Sequence, residues 1–389
     1  MNFTYKHTKL ACYSGYVTQA VVNNFSPLLF VIFADGFGLT IAEIASLITI
    51  NFVTQMCVDI FGARYAERIG YRRVLVMSQL MAAVGMILLG VLPYIMPPYW
   101  GIVASTVIFA IGSGFTEVMV SPVVEALPED GKSGSMSLLH SFYCWGHVYT
   151  VVVATLFFNI FGVENWRYLS YYWAILPLIT AVGFMRVPIN TFGGENEKRD
   201  GFSKLFRSGM FWVFVLIMWC SGASELAMAQ WSSMFAEISL GVSKNMGDIL
   251  GPCMFAVFMG LARVLYGKFS EKLDLKLAIA GSAGICVVAY LLSTIPSIPI
   301  INLIGCGLCG FSVGIMWPGT LSLAAGRFPN GGTAIFGLLA LAGDIGCFTG
   351  PEVVAIFSRG ADLKSGIIAV IVFPVAIIAL LMGLRRKRK

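Results

Sequence analysis

Charge is what this sequence has least of. Only 12% of its 389 residues are Asp, Glu, Lys or Arg, against 58% hydrophobic residues, and histidine occurs 3 times. A soluble domain carries roughly a quarter of its residues charged, so the composition excludes an ordinary water-soluble protein and leaves one that lives in a bilayer. A phosphate-cradling Gly-Lys-Ser/Thr loop is also missing, which leaves nucleotide hydrolysis without support as an energy source. The 9 cysteines are scattered through apolar runs. Cys306 and Cys309 form one CGLC, but no second pair and no neighbouring histidine accompany it. Small-residue packing is therefore the reading, with no metal, no cofactor and no catalytic residues expected.

What the sequence has in abundance is long apolar runs. A hydrocarbon core of about 30 Å takes roughly 20 apolar residues per spanning helix. Twelve such runs occur, at 10-34, 41-65, 73-95, 100-127, 133-161, 167-187, 209-237, 246-270, 276-295, 299-325, 332-357 and 365-384. The first is too long for a signal-peptide core, and no small-residue cleavage site follows it, so it is read as a membrane helix. Lys and Arg gather in alternate breaks. Arg64, Arg68, Arg72, Arg73, Lys198, Arg199, Lys268, Lys272, Lys276, Arg327 and the terminal RRKRK fall on one side, and only Arg167, Lys244, Arg359 and Lys364 on the other. By the positive-inside rule both termini are cytoplasmic, as an even number of spans requires, in a multi-pass protein expected in the cell membrane. The formal charge of +6 is thus a topology signal. Spread along one membrane face, it does not suggest nucleic acid.

The chain repeats itself. Its longest polar break separates two sets of six runs, so the expected organisation is an N-terminal bundle at 1-187, a cytoplasmic linker at 188-208 and a C-terminal bundle at 209-389. ARYAERIGYR from Ala63 to Arg72 corresponds to GKFSEKLDLK from Gly267 to Lys276, with Glu67-Arg68 matching Glu271-Lys272. GFTEVMVSP from Gly114 to Pro122 corresponds to GFSVGIMWP from Gly310 to Pro318. Parallel repeats of this kind build transporters. The segment after the second run resembles the signature of the major facilitator superfamily: Ala63 stands for its first Gly and Glu67 for its Asp, while Arg68, Gly70, Arg72 and Arg73 are kept. The resemblance implies an all-α membrane protein of twelve transmembrane helices in two pseudo-symmetric six-helix bundles, working by alternating access around a mid-membrane cavity.

Polar residues inside apolar helices are expensive and so default to a functional hypothesis. Glu117 is the single charge between Trp100 and Ser121, about 15 Å along its helix at 1.5 Å per residue. His140, Tyr143 and His147 share one face of the fifth run. Asn23 and Asn24 sit within the first run, Glu225, Gln230 and Trp231 in the seventh, and Asp344 in the eleventh. The segments TEVMVSPVVEALP and SMSLLHSFYCWG resemble the fucose-galactose proton symporter branch and related glucose transporters. That branch carries an acid before an Asn-Pro on its fourth helix and QTFNSFG on its fifth. Glu117 takes the place of that acid, His140 of the Gln, Tyr143 of the Asn, and Trp145-Gly146 of the Phe-Gly, while Asn23-Asn24 matches a double Asn. The branch's further first-helix acid has no counterpart near Pro27, so its coupling scheme does not carry over.

A sugar's hydroxyls want acids, amides and imidazoles, and its C–H face wants an aromatic ring. Asn23, Asn24, Glu117, His140, His147, Gln230 and Glu225 are candidates for the first task; Tyr143, Trp145, Trp231 and Trp317 for the second. An ionised Glu at the membrane centre costs roughly 2.5 to 3.5 kcal/mol on insertion scales. That makes Glu117 the leading candidate for proton coupling, with Glu225 and Asp344 behind it. Asp59, Glu67, Arg68, Arg72, Arg263, Glu271 and Lys272, near the cytoplasmic ends, are gate candidates. The bland alternatives are a structural Glu117 hydrogen-bonded to a neighbouring helix and histidines acting as interhelical glue. The expected function is proton-coupled import of a monosaccharide or similar small polar solute by a monomer, with sodium as the alternative ion. An exporter of drugs or other organic molecules is the alternative in the same fold, and a transport-inactive receptor or scaffold the alternative of another class.

Overall fold

The computed structural model describes residues 3–128, 131–190, 202–241, 247, 249–358 and 363–384. The expectations for Lys198, Arg199, Lys244, Arg359 and the terminal RRKRK, and for much of the 188-208 linker, lie outside those residues. Among the described residues there is no strand, and the helices account for the twelve spans when one bent pair is counted as a single span. That pair is α1 (Tyr5–Leu28) and α2 (Phe30–Phe37), bent by 44°. The spans continue with α3 (Ile41–Ile69), α4 (Tyr71–Leu89) followed by the short α5 (Leu92–Ile95), α6 (Pro98–Glu125), α7 (Lys132–Phe161) and α8 (Trp166–Arg186). After the short α9 (Phe202–Phe206) come α10 (Gly209–Leu240), a π-helical turn Ile249–Cys253 leading into α11 (Met254–Phe269), and α12 (Leu275–Thr294). The last three spans are α13 (Pro299–Val313) with α14 (Met316–Arg327), α15 (Gly332–Ser358), and α16 (Leu363–Ala369) with α17 (Val372–Gly383).

Several runs that read as single helices are broken, and proline explains where. A proline has no N–H, so the carbonyl four residues before it loses its helical partner. Pro27 frees the carbonyl of Asn23 ahead of the α1–α2 bend, Pro93 that of Leu89, Pro318 that of Gly314, and Pro374 that of Val370. The last three are the places where α4 ends, where α13 gives way to α14 and where α16 gives way to α17. Turns between spans use ordinary helix punctuation. Gly38 closes α2 at φ 67, and Thr40 caps α3 by accepting from the Glu43 N–H at 3.3 Å while Glu43 Oε2 accepts from the Thr40 N–H at 2.8 Å.

Cα packing divides the chain into two compact units: Met1–Pro128 with Phe142–Glu197 and Gly332–Gly337, and Glu129–Ser141 with Lys198–Gly331 and Leu338–Lys389. Helices α7 and α15 therefore each contribute to both. The first unit is centred on Val21, Val22, Phe25, Ala82, Ala83, Met86, Phe109, Ala110, Trp173 and Ala174. Lipid offers no hydrophobic drive for helices to associate, so close approach through small residues replaces it. A Cβ on Gly85 would meet the Phe109 N at 2.6 Å, and one on Gly112 the Ser78 O at 2.5 Å, so α4 and α6 run nearly backbone to backbone. In the second unit Gly222, Gly346 and Gly350 do the same for α10 and α15, against Gly343, Trp219 and Ala223. Leu10, Ile60, Ile160, Ile179, Ile304 and Met382 are among the large apolar residues left exposed, as lipid contact demands of a multi-pass protein.

Candidate functional site

In the first unit, three rungs join the antiparallel helices α1 and α6. Ser113, Glu117 and Ser121 recur every fourth residue on α6, and Tyr16, Gln19 and Asn23 recur at helical spacing on α1, so each set forms one stripe. Ser113 Oγ donates to Asn23 Oδ1 at 3.1 Å, Gln19 Nε2 donates to Glu117 Oε2 at 2.7 Å, and the Tyr16 and Ser121 hydroxyls share a hydrogen bond at 3.0 Å. α3 joins the uppermost rung. Ser113 Oγ also reaches Gln55 Oε1 at 3.2 Å, and the Asn23 and Gln55 amides face one another at 3.4 Å in both directions. Along α3, Asn51 lies one turn from Gln55 with its Oδ1 buried and unpartnered, and Asp59, fully buried, lies one turn the other way. Behind this array, Gln79 on α4 donates to Thr116 at 2.9 Å. Glu117 thus accepts a hydrogen bond from a buried amide, inside a column of amides and hydroxyls that can donate or accept.

The second unit carries a different acid in a different setting. Glu225 on α10 is ion-paired with Arg263 on α11, Oε2 to Nη2 at 3.3 Å, and the two side chains are only 18% and 4% exposed. Arg263 spends its other nitrogens on backbone: Nε donates to the Gly314 carbonyl at 2.8 Å and Nη1 to the His140 carbonyl at 3.0 Å. The first of these is the carbonyl that Pro318 leaves without a helical donor. The arginine therefore repairs the break between α13 and α14 while holding Glu225.

The remaining candidates are placed as follows. Asn24 donates to the Ala20 carbonyl of its own helix at 2.8 Å. Tyr143, Trp145 and His147 are half-buried on the part of α7 that belongs to the first unit, where Gly146 seats that helix against Val17 and Ala20. His140 is buried in the second unit. There Trp317 packs its ring on Gly343, next to the buried Asp344, while Trp231 Nε1 donates to the Pro351 carbonyl at 3.3 Å and Gln230 is exposed. The sugar-stacking candidates are thus not gathered into one aromatic cluster within either unit.

The gate candidates divide by contact. Glu67 Oε1 accepts from the Thr333 N–H at 2.6 Å and its hydroxyl at 2.9 Å, at the positive N-terminal end of α15. Tyr71 shares a 2.6 Å hydrogen bond with the same Thr333 hydroxyl. Arg72 donates to the Phe184, Met185 and Val187 carbonyls at 2.7 to 2.8 Å, at the negative end of α8. Arg68 stacks over Tyr65, 5.9 Å from the ring centre, and Glu271 and Lys272 are exposed in the turn after α11. Gln19, Gln55 and Ser113 were not singled out in the sequence. The periodicity of 113, 117 and 121 was the available signal, and only their partners on α1 and α3 give it meaning.

With the geometry in view, comparison with known proteins is informative. A search of curated proteins finds no sequence match. Among solved structures, the chain superposes on FucP in its outward conformation with a TM-score of 0.81 at 16% identity, covering 97% of this chain and 99% of that one. FucP is the fucose:proton symporter of E. coli. The human organic anion transporter MFSD10 gives 0.75 at 14% identity, with 97% and 99% covered. XylE, a proton:xylose symporter bound to 6-bromo-6-deoxy-D-glucose, gives 0.80 at 13%, with 97% and 95% covered. At such identities the likeness establishes the fold. The sequence profile of the Major Facilitator Superfamily matches residues 12–351, nearly the whole length, and the chain belongs to that superfamily.

Proposed function

We propose that this transporter moves a monosaccharide or similar small polar solute by alternating access, with import coupled to protons through Glu117. The observation that carries the reading is the rung Gln19–Glu117: the acid in the middle of α6, two turns before Glu125 at the helix end, is held by a buried amide, between rungs built only of amides and hydroxyls. Such a column offers a polyol both donors and acceptors, and its only ionisable carboxyl is the one a proton would neutralise. The matching position in the C-terminal half is Val313, so the acid belongs to one half only. The symporter activities of FucP and XylE agree with this choice.

Glu225 takes a smaller part in the reading. It is tied to Arg263, whose other nitrogens hold the Gly314 and His140 carbonyls. We place it as a structural anchor. An exporter of drugs or other organic molecules would favour a larger apolar pocket, whereas the α1–α6 column is built of amides, hydroxyls and a carboxyl. In this proposal the chain works as a monomer in two halves, 1-187 and 209-389, with its termini on the cytoplasmic face of the cell membrane. Counterflow of labelled sugars in proteoliposomes tests the substrate class: exchange of a monosaccharide supports it, and exchange of organic anions alone contradicts it.

A further inference from the structure

Resting on the reading of Glu117 as the coupling acid, we infer that Gln19 is its positioning residue and serves both of its protonation states by turning over one terminal amide. Gln19 is 3% exposed, and its two polar atoms are in opposite situations. Nε2 donates to Glu117 Oε2 at 2.7 Å, whereas Oε1 is enclosed with no hydrogen-bond partner. Native structures rarely leave a buried acceptor of this kind unmet. The unmet acceptor sits on the same amide that grips the acid.

A primary amide has donors at one end and an acceptor at the other, and its last torsion is broad and nearly two-fold. While Glu117 is a carboxylate it only accepts, and Nε2 faces it. Once a proton from water is bound to one carboxyl oxygen, Glu117 becomes an O–H donor. A half-turn of the Gln19 amide then brings Oε1 round to accept. The rungs on either side keep α1 and α6 in register during the exchange, and the Tyr16–Ser121 pair can itself reverse direction.

The titratable groups at this level come from several helices. α7, seated by Gly146 on Val17 and Ala20, carries Tyr143 and His147 here, and α8 meets this part of α1 through Thr180, which does not titrate. α1 brings Tyr16. α3 brings Asp59, which lies at the height of Glu117 because Val58 packs beside Gly114 and Val118 beside Gly62. α4 brings only Ser78 and Gln79, which do not titrate. α5 brings Tyr94, beside the opposite end of α6, and α6 itself carries Glu125 two turns on.

Infrared difference spectroscopy of the full chain in lipid vesicles, titrated with pH and with no substrate added, tests this. The carboxylic acid C=O band assigned to Glu117 is the one lost in Glu117→Gln and kept in Asp59→Asn. In Gln19→Leu the pH of half-protonation is expected to rise by about one unit, because the bond lost to the charged form is stronger than the bond lost to the neutral one. The band itself moves to higher wavenumber as the O–H loses its acceptor. Gln19→Met, of similar length and without an amide, gives the same two shifts and guards against a folding defect in the first variant. An unmoved midpoint in both variants overturns the assignment, and a moved midpoint with an unmoved band overturns the amide reversal. If both spectral shifts occur while Glu117→Gln still takes up protons with solute, the coupling reading fails and the Gln19 assignment stands.

Discussion

At the residue scale, the difference between Glu117 and the other acids is one of partners. Glu43 shows how directly a partner sets a carboxyl's behaviour: lying ahead of its span, it is held below the usual carboxylate range by the Thr40 N–H first and the Thr40 hydroxyl second. A depressed folded value means the contribution is present above the unfolded value and lost as pH falls through the folded one. Amide protection factors in the first turn of α3, taken relative to intrinsic exchange at each pH, should therefore fall on acidification below the ordinary range for Glu, and Glu43→Gln should flatten that pH dependence. For the central column, Ser113→Ala removes the donor that two amide oxygens share, and weaker apparent affinity for solute is expected from counterflow measured over a concentration series. Glu117 was legible in the sequence because a charge in an apolar run stands out. Gln19, Gln55 and Ser113 were not, because an isolated neutral polar residue in a membrane helix is unremarkable until the helix facing it is known.

At the element scale, proline and arginine decide more than hydropathy does. Hydropathy located the runs, but it does not see that Pro318 withdraws a donor from Gly314, or that Arg263, two spans earlier in the chain, supplies one. Sequence position had suggested a gate role for Arg263; its contacts describe a clamp joining α10, α11, the α13–α14 break and the start of α7. Arg263→Leu should cost about 3 to 5 kcal/mol, since it strands a buried carboxylate. Pairing it with Glu225→Gln should recover part of that loss, and thermal unfolding in detergent gives the cycle. The α10–α15 seam makes a separate demand. Gly346→Val, against the Trp219 carbonyl, should destabilise by roughly 1 to 3 kcal/mol in the same assay through overpacking.

At the scale of the whole molecule, the apolar runs, their number and the distribution of Lys and Arg were enough to read a twelve-span transporter, because the bilayer imposes length and sidedness on sequence directly. What the runs do not encode is which neutral side chains meet across helices, and it is there that solute recognition is expected to reside. In the proposed cycle, transport is coupled to protons through Glu117. Uptake of a panel of labelled monosaccharides into proteoliposomes, with and without an imposed pH gradient, for the native chain and for Glu117→Gln, tests it most directly. Gradient-driven accumulation of at least one sugar is expected for the native chain, and loss of that accumulation with exchange retained for Glu117→Gln; equal gradient-driven accumulation in both rules out coupling through Glu117.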